Sequence, residues 1–227
     1  MIVTDAIANT YLLATGKTTT LTAGTTKYTK ILALLNMFTQ QWAGEVGVDW
    51  KSQRLVATVT GTVTATDTFA IPTTLSKVSK TKGDFVRIIH TDSVESDYNI
   101  VPIERLYNES SKAQGGTGNC VAVSGSNLIF DVAFTADSPQ FGGTIYVPGY
   151  KIPATLDDGA DTIEVDDPYW LCFMAAAEYV RNDITRVQQY PNLIAQANNS
   201  MEGMKNDNNS QVESVTATWS PLGSTWE

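Results

Sequence analysis

The chain is poor in the residues that most chemistry needs. Among its 227 residues there is one histidine, His90, and there are two cysteines, Cys120 and Cys172. A lone histidine with two distant cysteines makes a zinc site improbable. Two cysteines do not make a disulfide scaffold, so the chain is expected in a reducing compartment, with both thiols as small buried hydrophobes. Basic residues are also scarce: 15 Lys and Arg against 24 Asp and Glu give a formal charge of −9. A surface of that sign does not grip phosphate backbones over its whole extent, although it could surround a nucleic acid without sticking to it. No apolar run is long enough to span a membrane, and the N-terminus has no basic residue before its apolar stretch, so neither a membrane span nor a signal peptide is expected. No internal repeat is visible.

What is present suits a globular protein: 42% hydrophobic residues and 17% charged, in one large or two small domains. Residues 4–15 read as a helix that Thr4 or Asp5 caps, closed by Gly16 with Lys17 beside the negative end of the dipole. A Thr-rich linker follows. Residues 26–44 make a stronger helix, with Tyr28, Ile31, Leu32, Leu35, Phe38 and Trp42 at three- and four-residue intervals. From 54 to 152 the period changes. "RLVATVTGTVT", "DTFAIP", "DFVRIIH", "GNCVAVSG", "NLIFDVAF" and "GTIYVPGY" read as strands, with one short helix at 102–110. Helices return at "DDPYWLCFMAAAEYVRNDITRVQQY", capped by Asp166 or Asp167 with Pro168 in the first turn. Its expected buried seam is Trp170, Phe173, Ala177, Val180, Ile184 and Val187. Pro191 restarts a weaker helix with Ile194, Ala197, Met201 and Met204 on its apolar side. The last stretch has no helical period.

The expected fold class is therefore α+β. N- and C-terminal helices (1–53 and 161–209) form a bundle, an antiparallel β-sandwich or barrel (54–160) is inserted, and an extended tail (210–227) follows. That tail carries Trp219, Leu222 and Trp226. It either folds back on its own domain or docks on a neighbour, since aromatic residues are favoured interface anchors.

Four constellations invite a chemical reading. Gly16-Lys17-Thr18 matches the end of a phosphate loop, but Tyr11 occupies the first glycine position and the preceding residues read as helix, not strand. A Ser-His-Asp triad is formally open to His90, which reads more simply as a strand-end residue. Asp157, Asp158, Asp161, Glu164, Asp166 and Asp167 crowd one stretch. It lacks the spacing of a calcium loop and reads as a solvated loop leading into a helix N-terminus. Lys77, Lys80, Lys82 and Arg87, with Lys51 and Arg54 upstream, read as a solvated face. No cofactor, metal or catalytic residue is assigned.

The stretch "ILALLNMFTQQWAGEVGVDW" resembles the second helix of bacteriophage head-to-tail adaptor proteins, on Leu35, Asn36, Met37, Trp42 and Gly47. "VDDPYWLCFMAAAEYVRND" resembles the third helix of that family, and the helix closed by Gly16 fits its opening. The likeness covers residues 1–205. It implies a structural virion protein without enzymatic activity, made in the host bacterial cytoplasm and placed in the neck of the particle. Its copies, commonly twelve, form a ring beneath the portal protein, extend the DNA channel, pass DNA without specific binding, and dock tail or nozzle proteins. The C-terminal segment with Trp219, Leu222 and Trp226 is the candidate docking element. Rival expectations are another neck or tail structural protein, a carbohydrate- or ligand-binding β module using Phe69, Phe85, Phe130, Phe134, Phe141 and Tyr146, and a nucleotide hydrolase using the Gly16 loop.

Overall fold

A computed structural model describes residues 1–45, 48–79, 84–110 and 119–216, with side chains at all of these except 107–110 and 210–216. The chain is α+β and divides into two compact units. One joins Met1–Ser52 to Pro153–Glu227, and the other is Gln53–Ile152. Residues 153–160, expected with the β block, therefore belong with the helices: Leu156 is buried in the helical core.

In the helical unit, α1 (Val3–Thr15) buries Ala6, Ile7, Thr10, Tyr11 and Ala14, a stripe at helical spacing. Neither Thr4 nor Asp5 caps it. The helix starts one residue earlier, and its first amides are satisfied by remote backbone: Val3 N–H donates to Asp161 O and Thr4 N–H to Gly159 O, both at 2.9 Å. Orphan amides at a helix start accept any well-placed carbonyl, and here the tertiary partner replaced the local one. At the other end Gly16 is left-handed (φ 67°) and its N–H donates to Leu12 O at 2.7 Å, a glycine C-cap as expected.

Helix α2 (Thr26–Ala43) buries Tyr28, Ile31, Leu35, Phe38, Thr39 and Trp42. The Trp42 ring stacks on Trp50 with centroids 5.1 Å apart. Trp50 Nε1–H donates to the Trp42 carbonyl at 2.7 Å, so the chain beyond α2 folds back onto its end. Helix α4 (Pro168–Val180) is capped by Asp167, whose carboxylate accepts Tyr169 N–H, with Pro168 at its start. Ala175, Ala176 and Ala177 are fully buried, small enough for neighbouring helices to approach closely. Helix α5 runs from Tyr190 to Thr216.

Two expectations fail here. The seam expected through Val187 stops at Val180, because the chain leaves the helix there. Asp183 accepts Thr185 N–H and Oγ–H and so closes a tight turn, the local competition with helix that short polar side chains offer. Ile184 is 93% exposed and Val187 is 42% exposed. Conversely, α5 continues to Thr216, into the stretch expected to be an extended tail from 210.

Among its described residues the β unit holds eight strands: β1 (Arg54–Thr58), β2 (Thr68–Ala70), β3 (Leu75–Val78), β4 (Phe85–Ile89), β5 (Glu95–Val101), β6 (Cys120–Ser124), β7 (Asn127–Phe130) and β8 (Thr144–Lys151). They form one curled sheet in the order β1-β8-β4-β5-β6-β7-β2, with β3 also on β8. β1 lines one edge of β8, while β4 and β3 share the other, meeting residues 144–146 and 149–151. Gly149 permits this crowding: a Cβ there would lie 2.5 Å from the Lys77 carbonyl.

The sheet is mixed, not antiparallel, because β5 and β6 run parallel. Parallel neighbours need a crossover, and α3 (Ile103–Ser110) lies between them in the chain. Its Leu106 is buried with Val101, Cys120 and Ala122. On the main core face, Val86, Ile88, Val121, Leu128, Ile145 and Val147 are fully buried.

Candidate functional site

The Gly16 loop is not a phosphate loop. Its strand–loop–helix context is missing, since α1 precedes Gly16 and residues 17–25 carry no regular helix or strand before α2 begins.

His90 directly follows β4 and is buried. The tight β4–β5 turn brings two other residues to it. Ser96 Oγ lies 2.8 Å from Nε2, and Asp92 Oδ1 lies 3.9 Å from Nδ1. These are the residue types of a triad, without its geometry. The Asp–His separation exceeds a hydrogen bond, and Asp92 Oδ1 accepts Val94 N–H at 3.1 Å to hold the turn, which Ser93 completes at φ 68°. The constellation pins a hairpin.

The acidic stretch also serves backbone. Asp161 accepts the amides of Asp157 and Asp158 at 2.8 Å, and Asp158 accepts Ala160 N–H at 3.1 Å. The amides from Asp158 and Asp157 hold the Asp161 carboxyl below its ordinary range. Asp167 caps α4 and its other oxygen meets Ser200 Oγ of α5. Among the described residues no group of three potential ligands could hold a metal ion.

The basic residues expected as a solvated face are described only in part. Lys80 and Lys82 lie outside the described residues. Arg87 pairs with Glu95 at 2.6 Å and Asp97 at 2.8 Å, and Arg54 pairs with Asp84. Both arginines rim a groove of about 470 Å³ over β1, β8 and β4, floored by Val56, Phe85, Tyr146 and Pro148. Of the aromatics proposed as a binding platform, Phe69, Phe130 and Phe134 pack edge-on with Tyr98 in the core. Burial pushes the Tyr98 hydroxyl up to about 12. Phe85 and Tyr146 are half-buried and Phe141 is 40% exposed, so no single platform is assembled from the six.

Two asparagines do work that periodicity does not reveal. Asn36 on α2 donates to Leu156 O at 2.9 Å and accepts Leu156 N–H at 2.8 Å. Asn208 on α5 donates to Asp49 O and accepts Lys51 N–H, both at 3.1 Å. Each side-chain amide copies a strand partner, fixing to the helices the segment just after or just before the β unit. Asn36 sits in the family-like stretch, where Met37 beside it is 48% exposed.

The described surface of the helical unit offers two further features. One is the α4–α5 corner, where Ile184 and Val187 are exposed and Arg181 and Arg186 pair with Glu178 and Asp183. The other is a pocket of about 380 Å³ lined by Ile2, Thr4, Leu21, Tyr28, Asp158 and Gly159 among others. Trp219, Leu222 and Trp226 lie outside the described residues.

Fold and surface together define a two-unit α+β protein whose sequence-flagged polar groups mainly hold structure. No protein-family model matches the chain, and no curated protein matches it.

Proposed function

We propose that this is a ring-forming head-to-tail adaptor of a tailed bacteriophage. Its helical unit would be the bundle of the ring, and the β unit an inserted barrel-like domain. The observation that carries the reading is the helical unit itself. Helices from both ends of the chain share one tryptophan-rich core, and that unit holds seven Lys and Arg against fifteen Asp and Glu, a formal charge of −8. It still holds a nearly bare isoleucine out from a stapled corner. A compact acidic body with an exposed apolar anchor fits a subunit that must meet neighbours while leaving DNA free to pass, because carboxylates offer phosphates no neutralising contact.

In this role the copies, twelve by family resemblance, stack under the portal protein and present a surface to tail or nozzle proteins in the neck of the virion. The segment with Trp219, Leu222 and Trp226 would dock on the portal or a neighbour. No catalytic step is required. Electron microscopy of the full chain, alone and with portal protein, tests the reading. Closed rings, or a ring seated on the portal, are the expected result. A strict monomer that ignores the portal overturns it.

A further inference from the structure

We propose that the groove over β1, β8 and β4 binds a neutral saccharide, which stacks a ring face on Tyr146 and places its hydroxyls on the ion-paired rim of Arg54, Asp84 and Arg87. The site lies wholly in the β unit and is independent of the ring reading above.

Strand register builds the groove. Val56 and Thr58 of β1 stand opposite Pro148 and Tyr146 of β8, and Arg87 of β4 stands opposite Tyr146 on the other side. Alternation sends Ala57, Val86, Ile88, Ile145 and Val147 into the core. It therefore turns Val56, Phe85, Arg87, Tyr146 and Pro148 to the opposite face. There they line one cavity of about 470 Å³, within the size of small-molecule clefts. Val56 is 59% exposed and Tyr146 is half-buried, so the floor is open to a ligand. The Arg87 guanidinium sits 4.8 Å from the centre of the Phe85 ring. Phe85 thus supports the rim, and Tyr146 is the platform.

The rim selects the charge of the ligand. Arg54 pairs with Asp84, whose other oxygen accepts Ser79 Oγ–H. Arg87 holds Asp97 through Nε at 2.8 Å and Nη2 at 3.1 Å, and Glu95 through Nη1 at 2.6 Å. Two arginines meet three carboxylates, so neither an anion nor a cation finds an unopposed charge. Hydrogen-bonding capacity remains. A guanidinium has five N–H donors and a carboxylate oxygen accepts more than one bond, so donors and acceptors stand side by side. Hydroxyls, which both donate and accept, match that pattern. The negative face of the Tyr146 ring suits weakly positive C–H groups. A pyranose offers both, an aliphatic C–H face and a hydroxyl rim. A polynucleotide does not fit, because its phosphates would meet Asp84, Glu95 and Asp97. The paired side chains are already ordered, so binding costs them little further freedom.

Saturation-transfer NMR on the full chain tests this with four neutral disaccharides: cellobiose, lactose, maltose and diacetylchitobiose. At least one should bind with a Kd of about 1 mM or tighter, and an unsulfated chondroitin disaccharide, which is anionic, should bind about 10-fold more weakly. Tyr146→Ala should weaken binding about 10-fold and Tyr146→Phe less than about 3-fold, since the ring is kept. Val56→Arg, at an exposed side chain, should block the groove with unchanged circular dichroism, and it carries the test if Tyr146→Ala does not fold. No transfer to any of the four sugars overturns the proposal. So does binding that survives both Tyr146→Ala and Val56→Arg, which places the sugar elsewhere. Chondroitin binding as tight as the neutral sugars, or oligoproline binding in preference to all of them, assigns the groove to another ligand and overturns it too. If wild type forms rings and Val56→Arg does not, the groove is a subunit contact and the saccharide site fails while the ring reading stands.

Discussion

The two units use their carboxylates differently. The β unit is nearly neutral, with eight Lys and Arg against nine Asp and Glu, while the helical unit stands at −8. In the β unit, acids face arginines across strands, as Glu95 and Asp97 do with Arg87. In the helical unit Glu45, Glu178 and Asp183 also pair with Lys205, Arg181 and Arg186, but Asp161 and Asp158 in their loop and Asp167 at α4 satisfy backbone amides instead. The first use cancels charge and leaves a sheet that tolerates many neighbours. The second leaves the charge in place, and so gives the helical unit a repelling surface for other polyanions.

The units also differ as reporters. All five tryptophans lie in the helical unit and its C-terminal segment, none in the β unit, and each unit has one buried free cysteine, Cys120 or Cys172. Burial raises the Cys172 thiol to about 11, so it should stay unreactive until its helices open.

The largest expected effect uses this difference. Trp42→Ala should cost about 3–5 kcal/mol by leaving a cavity beside Trp50, seen as a lower urea midpoint in tryptophan emission. Phe130→Ala, in the Tyr98–Phe69–Phe134 cluster, should cost a similar amount in the circular dichroism of the strands and leave the emission midpoint in place. If Phe130→Ala moves both signals together, the units unfold as one and the comparison breaks.

Next in size, Gly149→Ala should cost about 2–3 kcal/mol by overpacking, since its Cβ would meet the Lys77 carbonyl at 2.5 Å. Cys120 should become labelled faster in this variant, with Cys172 labelling unchanged. Asn36→Ala should do the reverse. It strips Leu156 of both backbone partners, at about 1–2 kcal/mol, and Cys172 should label faster while Cys120 does not.

The smallest effect is zero at neutral pH. Burial raises Tyr98 to about 12 from an ordinary 10. A raised folded value stabilises fully below the unfolded value and is lost as pH rises through the folded one. The β unit should therefore weaken between pH about 10 and about 12, and Tyr98→Phe should flatten that slope in circular dichroism. An unchanged slope would mean that Tyr98 is not the group responsible.

Element types were legible where a period ran long. Tyr28, Ile31, Leu35, Phe38 and Trp42 mark α2, and Gly16 marks the end of α1. The strands β3 and β5 escaped notice. "ESDYNIV" has acids where a strand is expected to be apolar, and those acids find Arg87 only once β4 lies beside them. The Val180–Val187 seam misled for the same reason in reverse: its apolar spacing continues through a turn that Asp183 closes locally. The exposure of Ile184 was hardly legible, because it is a property of the turn and not of the residue.

The sequence by itself determined the α+β class, the helix-rich ends around a strand-rich middle, the glycine stop at residue 16, the Asp167–Pro168 helix start and the acidity. These follow from local sterics, periodicity and charge counts. Only the tertiary structure decided the parallel β5–β6 pair, the remote backbone cap of α1, the asparagine clamps at Leu156 and at Asp49 and Lys51, and the outward aim of Ile184. Each depends on groups far apart in the chain. Their meeting is fixed by which backbone donors and apolar faces remain unsatisfied once the local elements have formed.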